Sequence, residues 1–153
     1  MKNLYQQETL KALYTSPVGK DRPICATHRY EGYNASCGDE ISLFLQIGES
    51  DSIDDMAFQS DCCAICTASA SLLCQISIGN DRNSLESDFQ RLEYLLNHQS
   101  SISTEKSNKF ECLLPISHHP GRINCALLPW QAAISAFYSP IKIQVKQATK
   151  INA

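Results

Sequence analysis

Residues 58–73 read FQSDCCAICTASASLL, and the chain changes character inside them. Ile53 to Gln59 (IDDMAFQ) has the bulk of a strand. From Ala64 to Ile78 Ala, Ser, Thr and Leu dominate, and the run stops at Gly79-Asn80, a pair suited to a helix C-cap. A strand feeding a helix, with Cys63 at the junction, is the unit around which the rest arranges itself.

Upstream, Ile41-Ser42-Leu43-Phe44-Leu45-Gln46-Ile47 has the partial alternation of a strand, and Gly48 to Ser52 is a polar turn. The two strands predict an antiparallel hairpin. Residues 5–14 place Leu10, Leu13 and Tyr14 at helical spacing, with Pro17 and Gly19 as the stop. Residues 15–38 read as irregular, punctuated by Pro23, Gly32, Asn34 and Gly38. Downstream, Ser84 to His98 carries Leu85, Phe89, Leu92, Leu95 and Leu96 on one helical face. Residues 99–108 (QSSISTEKSN) are a polar loop, and Ile123 to Tyr138 is a helical pattern with Pro129 inside it. Ile141 to Val145 alternates like an edge strand or a docked extension. This order predicts an α+β fold, a small antiparallel sheet packed against several helices, as one domain over residues 1–153.

The 153 residues are 43% hydrophobic and 19% charged, the balance of a chain that packs a core. A net charge of −3 offers no basic stripe for phosphates, which argues against nucleic acid as the partner. The opening MKNLYQQETL lacks the apolar core of a signal peptide, and no run nears the roughly 18 apolar residues of a membrane span. The expectation is a cytoplasmic chain. There, eight cysteines point to metal binding or catalysis before disulfides.

Three of the eight have distinctive settings. Cys37 lies in Asn34-Ala35-Ser36-Cys37-Gly38-Asp39, where Gly38 permits a bend that aims Cys37 and Asp39 at one point. Cys63 and Cys125 sit near predicted helix starts, where the dipole lowers a thiol's pKa, and Arg122 precedes Cys125. Three thiolates and a carboxylate together call for a cation, with Arg122 offsetting part of the remaining charge. A Cys3Asp set suits zinc or an iron–sulfur cluster.

These segments resemble the U-type iron–sulfur cluster assembly scaffolds: IscU, SufU and the N-terminal domain of NifU. The matching pieces are Cys37-Gly38-Asp39-Glu40-Ile41, Phe58 to Leu73 with its Ala68-Ser69-Ala70-Ser71 run, and Arg122-Ile123-Asn124-Cys125-Ala126 with Trp130. The long interval between Cys63 and Cys125, and Arg122 itself, are closer to the SufU branch. The resemblance implies a SufE/NifU-like fold and a Zn2+ or [2Fe–2S] site at Cys37, Asp39, Cys63 and Cys125. It also implies a cysteine desulfurase as sulfur donor, with Cys125 as persulfide acceptor, and downstream iron–sulfur proteins as recipients. Such a scaffold has no small-molecule turnover of its own, although the SufU form is a zinc-dependent sulfur-transfer protein. The chain departs from the pattern at Cys62 (usually Gly), Cys66 (often Ser or Ala) and Asn124 (His in IscU), which leaves Cys62 and Cys66 as alternatives to Cys63 in the ligand set.

Other readings stand beside this one. The chain could be a structural zinc-binding domain that docks proteins, or a thiol oxidoreductase using the Cys63–Cys66 C-x-x-C pair. Cys66 also reads as a buried small hydrophobe, and Cys25, Cys74 and Cys112 as core or incidental thiols. His118 and His119 read as a solvated loop, and Asp39 alone as a turn residue. A carboxylate is a harder, more exchangeable ligand than a thiolate, so it suits a site that must release its cargo. Asp39→Ala is expected to slow the loss of bound metal or cluster to a chelator. Faster loss than wild type would refute that role.

Overall fold

The computed structural model describes residues 4–98 and 109–142. A short 3-10 helix (Leu4–Gln6) leads into helix α1 (Glu8–Thr15), followed by strands β1 (His28–Asn34), β2 (Asp39–Ile47) and β3 (Ile53–Asp61). Helix α2 (Ala64–Ile76) leaves the sheet directly, then α3 (Arg82–Asn97), a second 3-10 helix (Glu111–His118) and α4 (Pro120–Phe137) complete the order. The strands form one antiparallel sheet in the order β1-β2-β3, so the fold is α+β as expected.

The 41–47 and 53–59 strands are present with Gly48–Ser52 between them, and each is longer than the sequence suggested. Residues 15–38 are not wholly irregular, because β1 lies within them. Its sequence, HRYEGYN, has no apolar alternation, since β1 is an edge strand with mostly exposed side chains. Gly32 is what it contributes to packing. A Cβ there would stand 3.1 Å from Leu128 Cδ1 and 3.3 Å from Ala132 Cβ, so its absence lets α4 lie close against the strand. The 3-10 helix at 111–118 also escaped the sequence reading, and Pro115 within it breaks the expected pattern.

Strand β2 alternates strictly at its start: Asp39, Ile41, Leu43 and Leu45 are buried, and Glu40 is exposed. Period two therefore drives Asp39 to the same face as the core leucines. Opposite lie α4 and, beyond it, α2 and α3. The predicted stripe of α3 buries Leu85, Leu92, Leu95 and Leu96, with Phe89 partly covered. Asp81 caps α3 by accepting the Ser84 N–H at 2.8 Å. Helix α2 ends at Ser77, whose N–H bonds the Leu73 carbonyl. Gly79 follows at φ +91° and donates to Ile53 O, pinning the loop to the start of β3. Helix α4 starts at Pro120, three residues before the sequence suggested, with proline in the first turn where its missing N–H costs nothing. Of the tail, Ile141 N donates to Thr27 O, and 143–145 lie outside the described residues, as does the 99–108 loop.

The Ala68–Ser71 run is a packing device. All four residues are buried, so α2 presents a small-residue surface and reaches α4. Ser69 donates its hydroxyl to Ala126 O and accepts the Trp130 Nε1–H at 3.0 Å, while Ser71 accepts Val18 N–H at 2.9 Å. Pro129 sits inside α4 and cannot donate to the Cys125 carbonyl, so this stretch of helix is secured from outside by α2. Ser69→Ala leaves the Trp130 indole N–H buried without its acceptor and is expected to cost about 1–3 kcal/mol in urea unfolding. Unchanged stability would show that the clasp is dispensable.

Candidate metal centre

Four elements converge at one end of the sheet. The β1–β2 hairpin closes through Asn34, whose carbonyl accepts the Cys37 and Gly38 N–H groups at 3.3 and 2.8 Å. Gly38 at φ +70° completes the turn, leaving Cys37 exposed at its tip and Asp39 buried at its base. Glu40 pairs with Asp61 across β2 and β3, which delivers Cys62 and Cys63 beside Asp39. Cys63 is the N-cap residue of α2, and its N–H donates to Asp39 Oδ1 at 2.9 Å. Cys125 comes from the second turn of α4 and is fully buried.

The ligand atoms of Cys37, Asp39 and Cys125 all lie within 4.8 Å of one another. Cys125 Sγ is 3.2 Å from Cys37 Sγ. Its thiol also bonds Asp39 and Cys63. Cys63 stands at the margin of this group, touching Cys125 by its sulfur and Asp39 by its backbone. Sequence reasoning missed Asn34 as a site residue. Its Nδ2 donates to Asp39 Oδ2 at 3.3 Å and faces Cys125 Sγ at 3.6 Å. An Asn five residues before the carboxylate, across a tight hairpin, was the available signal. Arg122 brings Nη1 to 3.9 Å from Cys37 Sγ and bonds Cys125, so it meets the thiols of the site, with no bond to Asp39 among the described residues.

The expected thiolate acidity at Cys63 and Cys125 is not what the geometry produces. Burial pushes both thiols up. At Cys125, bonds to Asp39, Cys37 and Cys63 hold the proton further, and the residue is too far into α4 for the dipole to oppose them. The Cys63 sulfur does face the N–H groups of Cys66 and Ile65, which favour its thiolate, but desolvation outweighs them. The site thus keeps its charges apart as neutral thiols, and a cation that displaces those protons fits the donor set.

The C-x-x-C pairing is also rearranged. Cys66 is buried, as one reading anticipated, but its thiol bonds Cys62, while Cys63 turns toward Cys125. The Cys66 bond, with the Thr67 hydroxyl, lowers Cys62 to about 7 against burial and the Asp39 charge; Cys66 is pushed far up as the donor. Cys74 is a core thiol raised by burial to about 12, Cys112 is half-buried, and Cys25 is exposed, outside the packing role. His118 and His119 are exposed at the end of the second 3-10 helix, outside the ligand group.

These features define a class: an α+β protein with the mixed thiol–carboxylate donor set of a cation site at a hairpin–helix junction. The sequence profile described as the NifU-like N terminal domain matches residues 14–87. An iron–sulfur cluster assembly scaffold protein IscU of Thermotoga maritima is 32% identical over 106 residues, covering 69% of this chain and 73% of the relative. The IscU scaffold protein of Streptococcus pyogenes serotype M1 is 31% identical over 65% of this chain, and the chain spans 62% of that relative's length. The zinc-dependent sulfurtransferase SufU of Bacillus subtilis is 30% identical, covering 65% and 67% of the two chains. The crystal structure of a putative SUF-system scaffold from Fervidobacterium islandicum AW-1 superposes with a TM-score of 0.69 at 24% identity, covering 88% of this chain and 96% of that one. A NifU-like N-terminal protein from Brucella abortus gives 0.73 at 15% identity, covering 88% and 92%. The chain belongs to the IscU/SufU/NifU-like family of iron–sulfur cluster assembly scaffolds.

Only a thiolate attacks an alkylating reagent, so pH 7 separates the thiols around the site. Among Cys62, Cys63, Cys66 and Cys125, Cys62 is expected to react first with iodoacetamide at pH 7 under anaerobic conditions. The contrast should narrow as the pH rises toward 9 and Cys63 begins to ionise. Peptide mapping that finds Cys63 or Cys125 modified ahead of Cys62 would contradict this order.

Proposed function

We propose that this chain is a scaffold and sulfur acceptor for iron–sulfur cluster assembly, working on residues 1–153 as one domain in the cytoplasm. Cys37, Asp39, Cys63 and Cys125 would hold zinc, iron or a nascent [2Fe–2S] cluster, and a cysteine desulfurase would deliver persulfide sulfur. Downstream iron–sulfur proteins would receive the product. The single observation that carries this reading is the meeting of Cys37, Asp39 and Cys125 within 4.8 Å, from two elements far apart in sequence. Membership in a family whose relatives are named as cluster scaffolds and as a zinc-dependent sulfurtransferase supports it. Among the described residues no helix is long and apolar enough to cross a membrane, which fits a partner reached in solution.

Zinc bound here would be held by soft thiolates and one hard carboxylate, a mixture that suits exchange better than four thiolates. Arg122 beside Cys37 would offset negative charge while the thiols are deprotonated. Cys125, the motif-derived sulfur acceptor, has no exposed surface, so delivery to it requires the exposed Cys37 hairpin to move aside. Asn34 would steer the carboxylate by its bond to Asp39.

The decisive experiment is metal and acid-labile sulfide analysis of anaerobically purified protein beside a Cys63→Ser variant. Visible absorption with iron and sulfide identifies the cluster form, and colourless protein with one zinc identifies the sulfur-acceptor form. Either content should fall in the variant, and wild-type protein that binds neither after reconstitution would end the reading. Chelation is expected to leave circular dichroism almost unchanged, because the leucine-rich core beneath the site is built without it. Unfolding on chelation would instead favour a structural zinc domain that docks proteins.

A further inference from the structure

Cys62 and Cys66 form a second thiol group beside the cation site, and the ligand arrangement does not use it. Cys66 has no exposed surface, so no donor protein can reach it. Its thiol bonds the sulfur of Cys62, which is half-buried and partly open to solvent. Thr67 Oγ1 lies 3.5 Å from Cys62 Sγ. Cys63, between them in sequence, turns away toward Cys125 and Asp39. An accessible sulfur backed by a covered one, with a hydroxyl beside the first, is an arrangement for receiving at one thiol and resolving at the other.

We propose that Cys62 and Cys66 are a built-in dithiol reductant that converts sulfane sulfur arriving at this chain into sulfide, beside the residues that would hold iron. The proposal rests on the sulfur-acceptor reading above and names the thiols that complete it. A desulfurase hands over sulfur at the sulfane level, whereas a cluster contains sulfide, so two electrons must enter for each atom. Sulfur reaches Cys62 as a persulfide, directly from a persulfide donor or by thiol–persulfide exchange from a neighbouring site cysteine, with no net oxidation. Cys66 passes its proton to the terminal persulfide sulfur, and the Cys66 thiolate so formed attacks the Cys62 sulfur. The Cys62–Cys66 bond forms, the persulfide S–S bond breaks, and hydrosulfide leaves with the proton from Cys66. Two thiol-level sulfurs are oxidised to one disulfide, the sulfane sulfur is reduced to sulfide, and a low-molecular-weight thiol or dithiol reductant resets the pair.

The test uses reduced, desalted full-length protein, held anaerobically without other thiols and given inorganic polysulfide at one sulfane equivalent. Sulfide is measured with time, and mass spectrometry follows persulfide on Cys62 and any disulfide. Wild type is expected to form the Cys62–Cys66 disulfide in step with a second release of sulfide, beyond that freed when polysulfide loads Cys62. Cys66→Ala should retain the extra sulfur on Cys62, with a persulfide lifetime longer by about tenfold or more. Cys62→Ser, at a partly exposed position, gives a second comparison that leaves the buried Cys66 side chain in place and should form no such disulfide. Persulfide on Cys62 that persists equally in wild type and Cys66→Ala overturns the proposal and leaves the sulfur-acceptor reading intact. Sulfide released beyond the amount freed when polysulfide loads the thiol, without the Cys62–Cys66 bond, also overturns it. A chain on which no cysteine takes up sulfane sulfur overturns both.

Discussion

The close contact of α2 with α4 is the constraint on which the site depends. Cys63 is fixed at the head of one helix and Cys125 in the second turn of the other, so their separation follows from how those helices meet. Small side chains at Ala68, Ser69, Ala70 and Ser71 allow the approach, and Ser69 locks it by joining the Ala126 carbonyl to the Trp130 indole. The lock falls one residue past the cysteine it positions. A bulkier α2 face would move Cys125 away from Cys37 and Asp39 without altering any ligand.

The second constraint is electrostatic. Asp39 is buried because strand alternation places it on the core side, and it is made tolerable there by the Cys63 N–H and the Asn34 amide. With that carboxylate in place, ionising the thiols around it becomes harder, and Cys63 and Cys125 stay protonated. The same donors that make a good cage for a cation therefore make a poor home for bare thiolates. An ion bound there would bring in the charge that neutralises the thiolates.

Much of this was legible in the chain. The β3–α2 junction, the α3 stripe and the grouping of Cys37 and Asp39 about Gly38 follow from period and turn chemistry. Strand β1 was not legible, because an edge strand with exposed side chains carries no alternation, and its one packing residue, Gly32, reads as a turn former. The thiol partners were hidden for a different reason. The sequence motif couples Cys63 with Cys66, but the helix cap rotates Cys63 toward Cys125 and leaves Cys66 facing Cys62. Thiol acidity was misjudged because the helix dipole can be inferred from the sequence, whereas burial depends on residues distant along it.

The four candidate ligand residues also differ in what holds them. Asp39 is set in a strand, Cys63 in a helix cap and Cys125 in a helix core, whereas Cys37 rides on a short exposed turn between Asn34 and Asp39. Three of them are held by regular elements and the fourth by a turn. The reach of the Cys37 sulfur is then set by the length of those four linking residues, so one inserted residue in the turn would shift it while leaving Asp39, Cys63 and Cys125 in place.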